Sequence, residues 1–359
     1  ITEILYLTRV NRSAQSGIEF TLNISMLELI QEWYEYYLEG YTKDFARQQI
    51  DSIGENVKLK VRINSAPSMV KISPDGEHLA YAVQDDGAYK VLVLNIETGK
   101  VKKILKAGVK SNSQFTDSSY PLIAWSPTGS QLLVVYEKRD RPKFMTYELE
   151  DRVKEFQDIV NFQRIYSVEY IGPKTVTLSG QRNGQTDIYT LHLPSYRIKQ
   201  ITNDFYDDLY PAPANLNGYD GLIFSSNRHT DVIKRERIDS IIPIANLDVY
   251  FYNLDTKDPQ LVQITNTPFS SEYNAQQLSE NRYSFISEEN GIKNLHEGYI
   301  DSFYEGKASL YYLNGEVYTA GLMADSIEVD SIQTYDIYKF KGVNHQVTDL
   351  TYNIKETDI

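Results

Sequence analysis

The chain has 359 residues, 41% of them hydrophobic, with 29 Tyr, 13 Phe and no Cys, and it carries a net charge of −13 at pH 7. This composition suits a globular protein with a large core and excludes disulfides, thiol nucleophiles and cysteine-based zinc sites. The acidic balance disfavours phosphate recognition, which needs clustered Lys and Arg, and no apolar run reaches the ~18 residues that a membrane span requires.

In chain order, the first segment is the strand-like ITEILYL of residues 1–7, with neither initiator Met nor leader, so the native N-terminus is expected upstream. Residues 22–42 read as one helix. Ser25 and Glu28 form a capping-box pair, Met26, Ile30, Trp33, Tyr37 and Tyr41 recur at helical spacing, and Gly40 fits a C-terminal stop. A polar linker covers 46–61, and beyond it the period changes to two.

From residue 62 the chain reads as successive four-stranded units. The first, 62–106, has the turn Ser73-Pro74-Asp75-Gly76, a strand from His78 to Val83, the turn Asp85-Asp86-Gly87, then Tyr89–Asn95, Glu97-Thr98-Gly99 and Val101–Leu105. The second, 116–159, repeats the turn as Ser126-Pro127-Thr128-Gly129. The third, 163–203, has a degenerate turn at Gly172-Pro173 and a clear one at Asn183-Gly184. The fourth spans 207–266 and the fifth 270–349, each with a long insertion (229–247 and 296–334), and 350–359 begin a further unit.

A second repeat overlays the first. Asp187-Ile188-Tyr189 leads to Ile201-Thr202-Asn203, Asp248-Val249-Tyr250 to Ile264-Thr265-Asn266, and Asp336-Ile337-Tyr338 to Val347-Thr348-Asp349. Such repeats of four-strand size predict an all-β chain, a β-propeller of four-stranded antiparallel blades, five visible plus the start of a sixth, with a short N-terminal helical segment. An open ring would leave bare sheet edges, so the native chain is expected to continue past Ile359.

The turn and D-[IV]-Y motifs, with the strand Ile223-Phe224-Ser225-Ser226-Asn227-Arg228, resemble the TolB-like propeller family over about residues 62–359. The stretch Tyr283–Asn294, followed by Gly298-Tyr299-Ile300-Asp301-Ser302, is similar to the large envelope-associated TolB-like proteins of Bacteroidota. In those, the propeller often follows a peptidase-like α domain, and the helix ending Glu32-Trp33 to Tyr36-Tyr37 is similar to the last helix of such a gluzincin-like domain. Residues 1–45 would then be its C-terminal remnant. The resemblance implies a periplasmic setting and partnership with other envelope proteins or an outer-membrane complex.

The chemistry expected of an enzyme is missing from the sequence. A gluzincin centre needs two His one helical turn apart, and the one His-Glu pair, His296-Glu297, lacks the second. His78, His192, His229 and His345 show no ligand spacing either. There is no G-x-S-x-G elbow and no phosphate-binding glycine loop, and Asp75-Gly76 and Asp85-Asp86-Gly87 are turn chemistry rather than calcium loops. No catalytic, cofactor or metal residue is assigned. The insertions are the candidate partner-binding loops, through Arg235, Arg237, Ile241, Ile242 and Ile244 in the first and Phe303, Tyr304, Tyr311 and Tyr312 in the second. The sequence reading is therefore a non-enzymatic interaction scaffold. Two alternatives stand beside it: an accessory propeller to a metallopeptidase domain before residue 1, and a glycan or small-ligand sensor using the propeller channel.

Overall fold

Three helices precede a β-rich remainder in the computed structural model, which describes residues 1–47, 57, 59–61, 66–110, 119–159, 161–234, 246–289, 291–313, 316–319, 330–355 and 357–358. Two units result, 1–54 with 349–351, and 55–348 with 352–359.

In the first unit, α1 is Thr2–Asn11, α2 Ala14–Leu22 and α3 Met26–Arg47. The strand reading of residues 1–7 is corrected: they are helical. Their alternation is short, and packing against α2 decides the matter, because bare Gly17 lets the backbone of Ile4 and Thr8 come within about 3.1 Å of where a Cβ would stand. The capping box at α3 holds. The Ser25 N–H donates to Glu28 Oε2 at 2.8 Å, and the Glu28 N–H donates to Ser25 Oγ at 3.2 Å. The predicted stop at Gly40 does not, since α3 continues to Arg47. No described helix is long and apolar enough to cross a membrane.

The second unit is a meander of five antiparallel sheets. Blade one comprises β1(Ala66–Ile72), β2(His78–Asp85), β3(Ala88–Asn95) and β4(Val101–Gly108). Blade two has β5(Leu122–Trp125), β6(Gln131–Glu137), β7(Pro142–Glu148) and β8(Lys154–Asp158), and blade three β9(Arg164–Gly172), β10(Thr175–Arg182), β11(Gln185–His192) and β12(Arg197–Gln200). Blade four has β13(Asp208–Leu216), β14(Tyr219–Ser226), β15(Asp248–Asn253) and β16(Leu261–Gln263). Blade five holds β17(Glu272–Ser279), β18(Arg282–Ser287), β19(Asn294–Leu313), β20(Glu316–Thr319) and β21(Ser331–Gln346). Consecutive strands pair within each sheet, except that β21 pairs with β19, and the first strands β1, β5, β9, β13 and β17 neighbour one another in that order around a channel.

The second strand of each blade is buried on both faces between neighbouring blades. Alternation therefore gives way there to continuous apolar runs such as Leu132-Leu133-Val134-Val135, each 0% exposed. The fourth strands β8 and β12 face solvent. The Ser-Pro-x-Gly turns repeat atom by atom. Ser73 Oγ accepts from the His78 N–H at 2.9 Å and Ser126 Oγ from the Gln131 N–H at 3.0 Å, while Gly76 and Gly129 take φ 72° and 70°.

The D-[IV]-Y repeat is a latch between third and fourth strands. Thr202 Oγ1 accepts from the Ile188 N–H at 2.9 Å, Thr265 Oγ1 from the Val249 N–H at 2.7 Å, and each hydroxyl donates back to Asp187 or Asp248. In blade five the partner is corrected. Thr348 Oγ1 accepts from the Leu295 N–H at 2.9 Å and donates to Asn294, whereas Asp336 is exposed and sits opposite Lys307 in mid-strand. Asn294 thus takes the aspartate's place, and the insertion read as a loop over 296–334 is largely an extension of β19 and β21. The segment read as opening a sixth blade makes no strand in residues 351–355 and 357–358. Instead the Thr357 carbonyl accepts from Asn274 and Gln276, and Asp358 reaches blade one.

Candidate functional site

Of the predicted partner residues, Arg235, Arg237, Ile241, Ile242 and Ile244 lie outside the described residues. Phe303, Tyr304, Tyr311 and Tyr312 lie on β19, not on a loop. Beyond Tyr299 the partner strand β18 ends, and β19 continues with β21 alone until β20 joins at Leu310. The register makes this a two-sided ribbon, since directly paired residues share a face. One face carries Phe303, Tyr335 and Ile337, the other Tyr304, Tyr338, Phe340 and Ile332. Phe303, Tyr304, Ile332, Tyr335, Tyr338 and Phe340 are all exposed, and Tyr304 meets Tyr338 edge to face at 5.8 Å.

The channel is divided by an ion network around buried Lys71. The Lys71 ammonium bonds Glu169 at 2.6 Å and Asp358 at 3.0 Å, and Asp358 also accepts from the Ile72 N–H. Loss of water raises the carboxyl groups of Glu169 and Asp358 against the pull of Lys71. This network floors a cavity of about 440 Å³ lined from all five blades.

Strand irregularities converge on that cavity. Ser68 in β1 and Tyr166 in β9 are extra residues in the ladder, Tyr210 and Pro211 in β13 stand opposite Phe224 alone, and Asn274 and Ala275 in β17 opposite Phe285 alone. Ser68, Tyr166, Tyr210 and Asn274 all line the cavity. Bulges re-aim side chains, and Tyr210 adopts φ 53°, an outlying conformation for a bulky residue. The Tyr273 ring adds a third phenol, with Lys293 Nζ 4.5 Å from its centre and its hydroxyl donating to Glu288 at 2.8 Å. No motif marks these residues in the sequence, because a bulge is a property of pairing.

A second buried cluster lies between blades three and four. Arg228 Nη2 bonds Asp208 at 2.7 and 2.9 Å and pairs with Asp204 at 3.2 Å, with the rings of Tyr206, Phe224 and Tyr250 around the guanidinium. Asp187 completes a group of carboxylates within 4.8 Å of one another. Burial, then Asp208 and Asp204, push Asp187 up to about 7, and burial with Asp208 pushes Asp204 up to about 6. Arg228 supplies the positive charge that a cation would bring, so the cluster acts as a strut. A cleft of about 570 Å³ between blades four and five holds His296, Glu272, Lys339 and His345. His296 packs on Phe285 at 5.4 Å and burial lowers its pKa; Glu272 accepts from Thr267 and Ser287.

No protein-family model and no curated protein matches this chain. Among solved structures it is similar to TolB from Acinetobacter baumannii, at 14% identity over 62% of this chain and 51% of that one, TM-score 0.41, so it spans about half of that protein's length. It is also similar to the β-propeller domain of the trilobed protease from Pyrococcus furiosus (15% identity, 70% and 68% covered, TM-score 0.42) and to a TolB-assigned protein of Agrobacterium tumefaciens (12%, 79% and 91%, TM-score 0.46). The ring of five sheets is what makes this chain a propeller.

Proposed function

We propose that the chain is a non-enzymatic interaction scaffold of a bacterial cell envelope, and that the β19–β21 ribbon is its partner-binding arm. The observation that carries this reading is the arm's two aromatic faces. A two-stranded ribbon is marginally stable alone in water, and this one leaves Phe303, Tyr304, Tyr335, Tyr338 and Phe340 exposed, residue types enriched in interface cores. The carboxylates whose pKa burial raises are taken up inside the fold: Asp187 by Gln200 and Thr202, Asp204 by Arg228, Glu169 and Asp358 by Lys71, Glu272 by Thr267 and Ser287. This supports a structural rather than a catalytic use for them. The motif resemblance to TolB-like proteins supports the periplasmic setting, with an outer-membrane-associated assembly as the partner class.

Photo-crosslinking in the native cell tests both parts. A photoreactive residue at Phe303, Tyr304, Tyr335 or Tyr338 should give a discrete adduct, whereas one at Glu155 or Lys199 on the outer strands should give none. Equal labelling at all positions, or no adduct on the arm, removes the arm as the interface. Recovery of the full-length protein in the cytosolic fraction removes the envelope setting.

A further inference from the structure

The floored channel mouth lies apart from the arm, and the chemistry of its lining narrows the class of ligand it would take. Its volume of about 440 Å³ lies within the ~300–1,000 Å³ of small-molecule sites. Three phenol rings from three consecutive blades, Tyr166, Tyr210 and Tyr273, face into it, with the rings of Tyr210 and Tyr273 6.5 Å apart and inclined at 56°. Short donors and acceptors share the lining, Ser68 and Asn274 among them. Ser68 Oγ is buried with no hydrogen-bond partner among the described residues, so a polar group that the fold leaves unmet points at this cavity.

Charge and backbone narrow the choice. Lys71, Lys293 and Lys355 are matched by Glu169, Glu288 and Asp358 around the cavity and its floor, so a charged ligand meets no net field of either sign. An extended peptide adding to the inner strand edges would need a regular ladder. The bulges lie in the pairing of β1, β9, β13 and β17 with their own second strands, and by bending these strands they leave no straight inner edge for one. What fits is an uncharged molecule held by side chains, with an apolar face to lie on a phenol ring and a rim of hydroxyls to exchange hydrogen bonds with Ser, Asn, Glu and Lys. We propose that the channel mouth binds a neutral saccharide, its pyranose face on Tyr210 or Tyr273 and a hydroxyl on Ser68.

The full chain titrated calorimetrically with cellotetraose, chitotetraose and mannotetraose, and with a short capped neutral peptide, tests this. At least one saccharide should bind saturably. Tyr273→Ala and Tyr210→Ala should each weaken it by about tenfold or more. Ser68→Ala should weaken it while leaving the melting temperature unchanged, because in the free protein its hydroxyl has no partner to lose. If Tyr210→Ala fails to fold, Ser68→Ala and Tyr166→Leu carry the test. The proposal is overturned if none of the three saccharides binds, if binding survives Ser68→Ala and Tyr273→Ala undiminished, or if the peptide alone binds at the mouth.

Discussion

At the scale of single residues, the latch explains both a repeat and an expected pH response. The Asp of D-[IV]-Y reads from the sequence as a structural cap for backbone N–H groups at a strand start, and the structure gives that cap to another residue. It is the Thr some fifteen residues on that satisfies the strand N–H, while the acid accepts the Thr hydroxyl together with the Gln200 amide in blade three and the Thr267 N–H in blade four. An amide can accept the Thr hydroxyl equally, as Asn294 does, which is why the D-[IV]-Y pattern points to Asp336 instead. The chain's own blade five therefore suggests a conservative test in blade three. Asp187 titrates near 7 when folded, raised chiefly by burial, and near 3.9 when unfolded. A raised carboxyl favours folding fully below the unfolded value, and that contribution is lost as pH rises through the folded one. Stability should thus fall from about pH 4 to pH 7 on account of this group, and Asp187→Asn should flatten the slope by up to about 1.4 kcal/mol per pH unit while keeping the Thr202 bond. Urea unfolding across that range measures it, and an unchanged slope would mean that Asp187 ionises freely.

At the scale of elements, burial decided what the sequence could show. The second strands were legible as apolar runs because both faces are covered, and Leu133→Ala, at 0% exposure, should cost about 2–5 kcal/mol in chemical denaturation. The arm was not legible as strand. Its residues alternate without a buried face, so length and turn signals suggested a loop, whereas continuous pairing with β21 from His296 to Tyr312 makes it a ribbon. In α3 the error ran the other way, because a single glycine was read as an end. Nothing stands within 4 Å of a Cβ at Gly40, which has ordinary helical surroundings, so the residue costs the helix stability without stopping it. Gly40→Ala should raise helix stability by about 0.8–1 kcal/mol, read as a higher melting point of the far-ultraviolet helical signal. A loss would show that Gly40 serves a contact.

At the scale of the whole propeller, the five blades are tied across the channel as well as around it. The inner ends of blade one and blade three meet at Lys71 and Glu169, and residues 353–355 with 357–358 bond to Lys293 and Asn274 of blade five and to Ile72 of blade one. Lys71 is 5% exposed, so its charge is out of water and depends on both carboxylates. The three groups are far apart in sequence and carry no shared motif, so only the fold could show them together. Removing one member of a buried ionic network leaves the others uncompensated, which costs about 3–5 kcal/mol, whereas replacing all members together can be nearly neutral. Lys71→Met should therefore destabilise the chain by about that amount, and Glu169→Gln with Asp358→Asn in the same chain should restore most of it. If the network also holds blade one to blade five, the Ile72 amide, which donates to Asp358, should exchange faster in Lys71→Met than the amides of β14 in blade four. Equal exchange at both places, or no recovery in the triple variant, would show that the floor fills the channel without joining the ring.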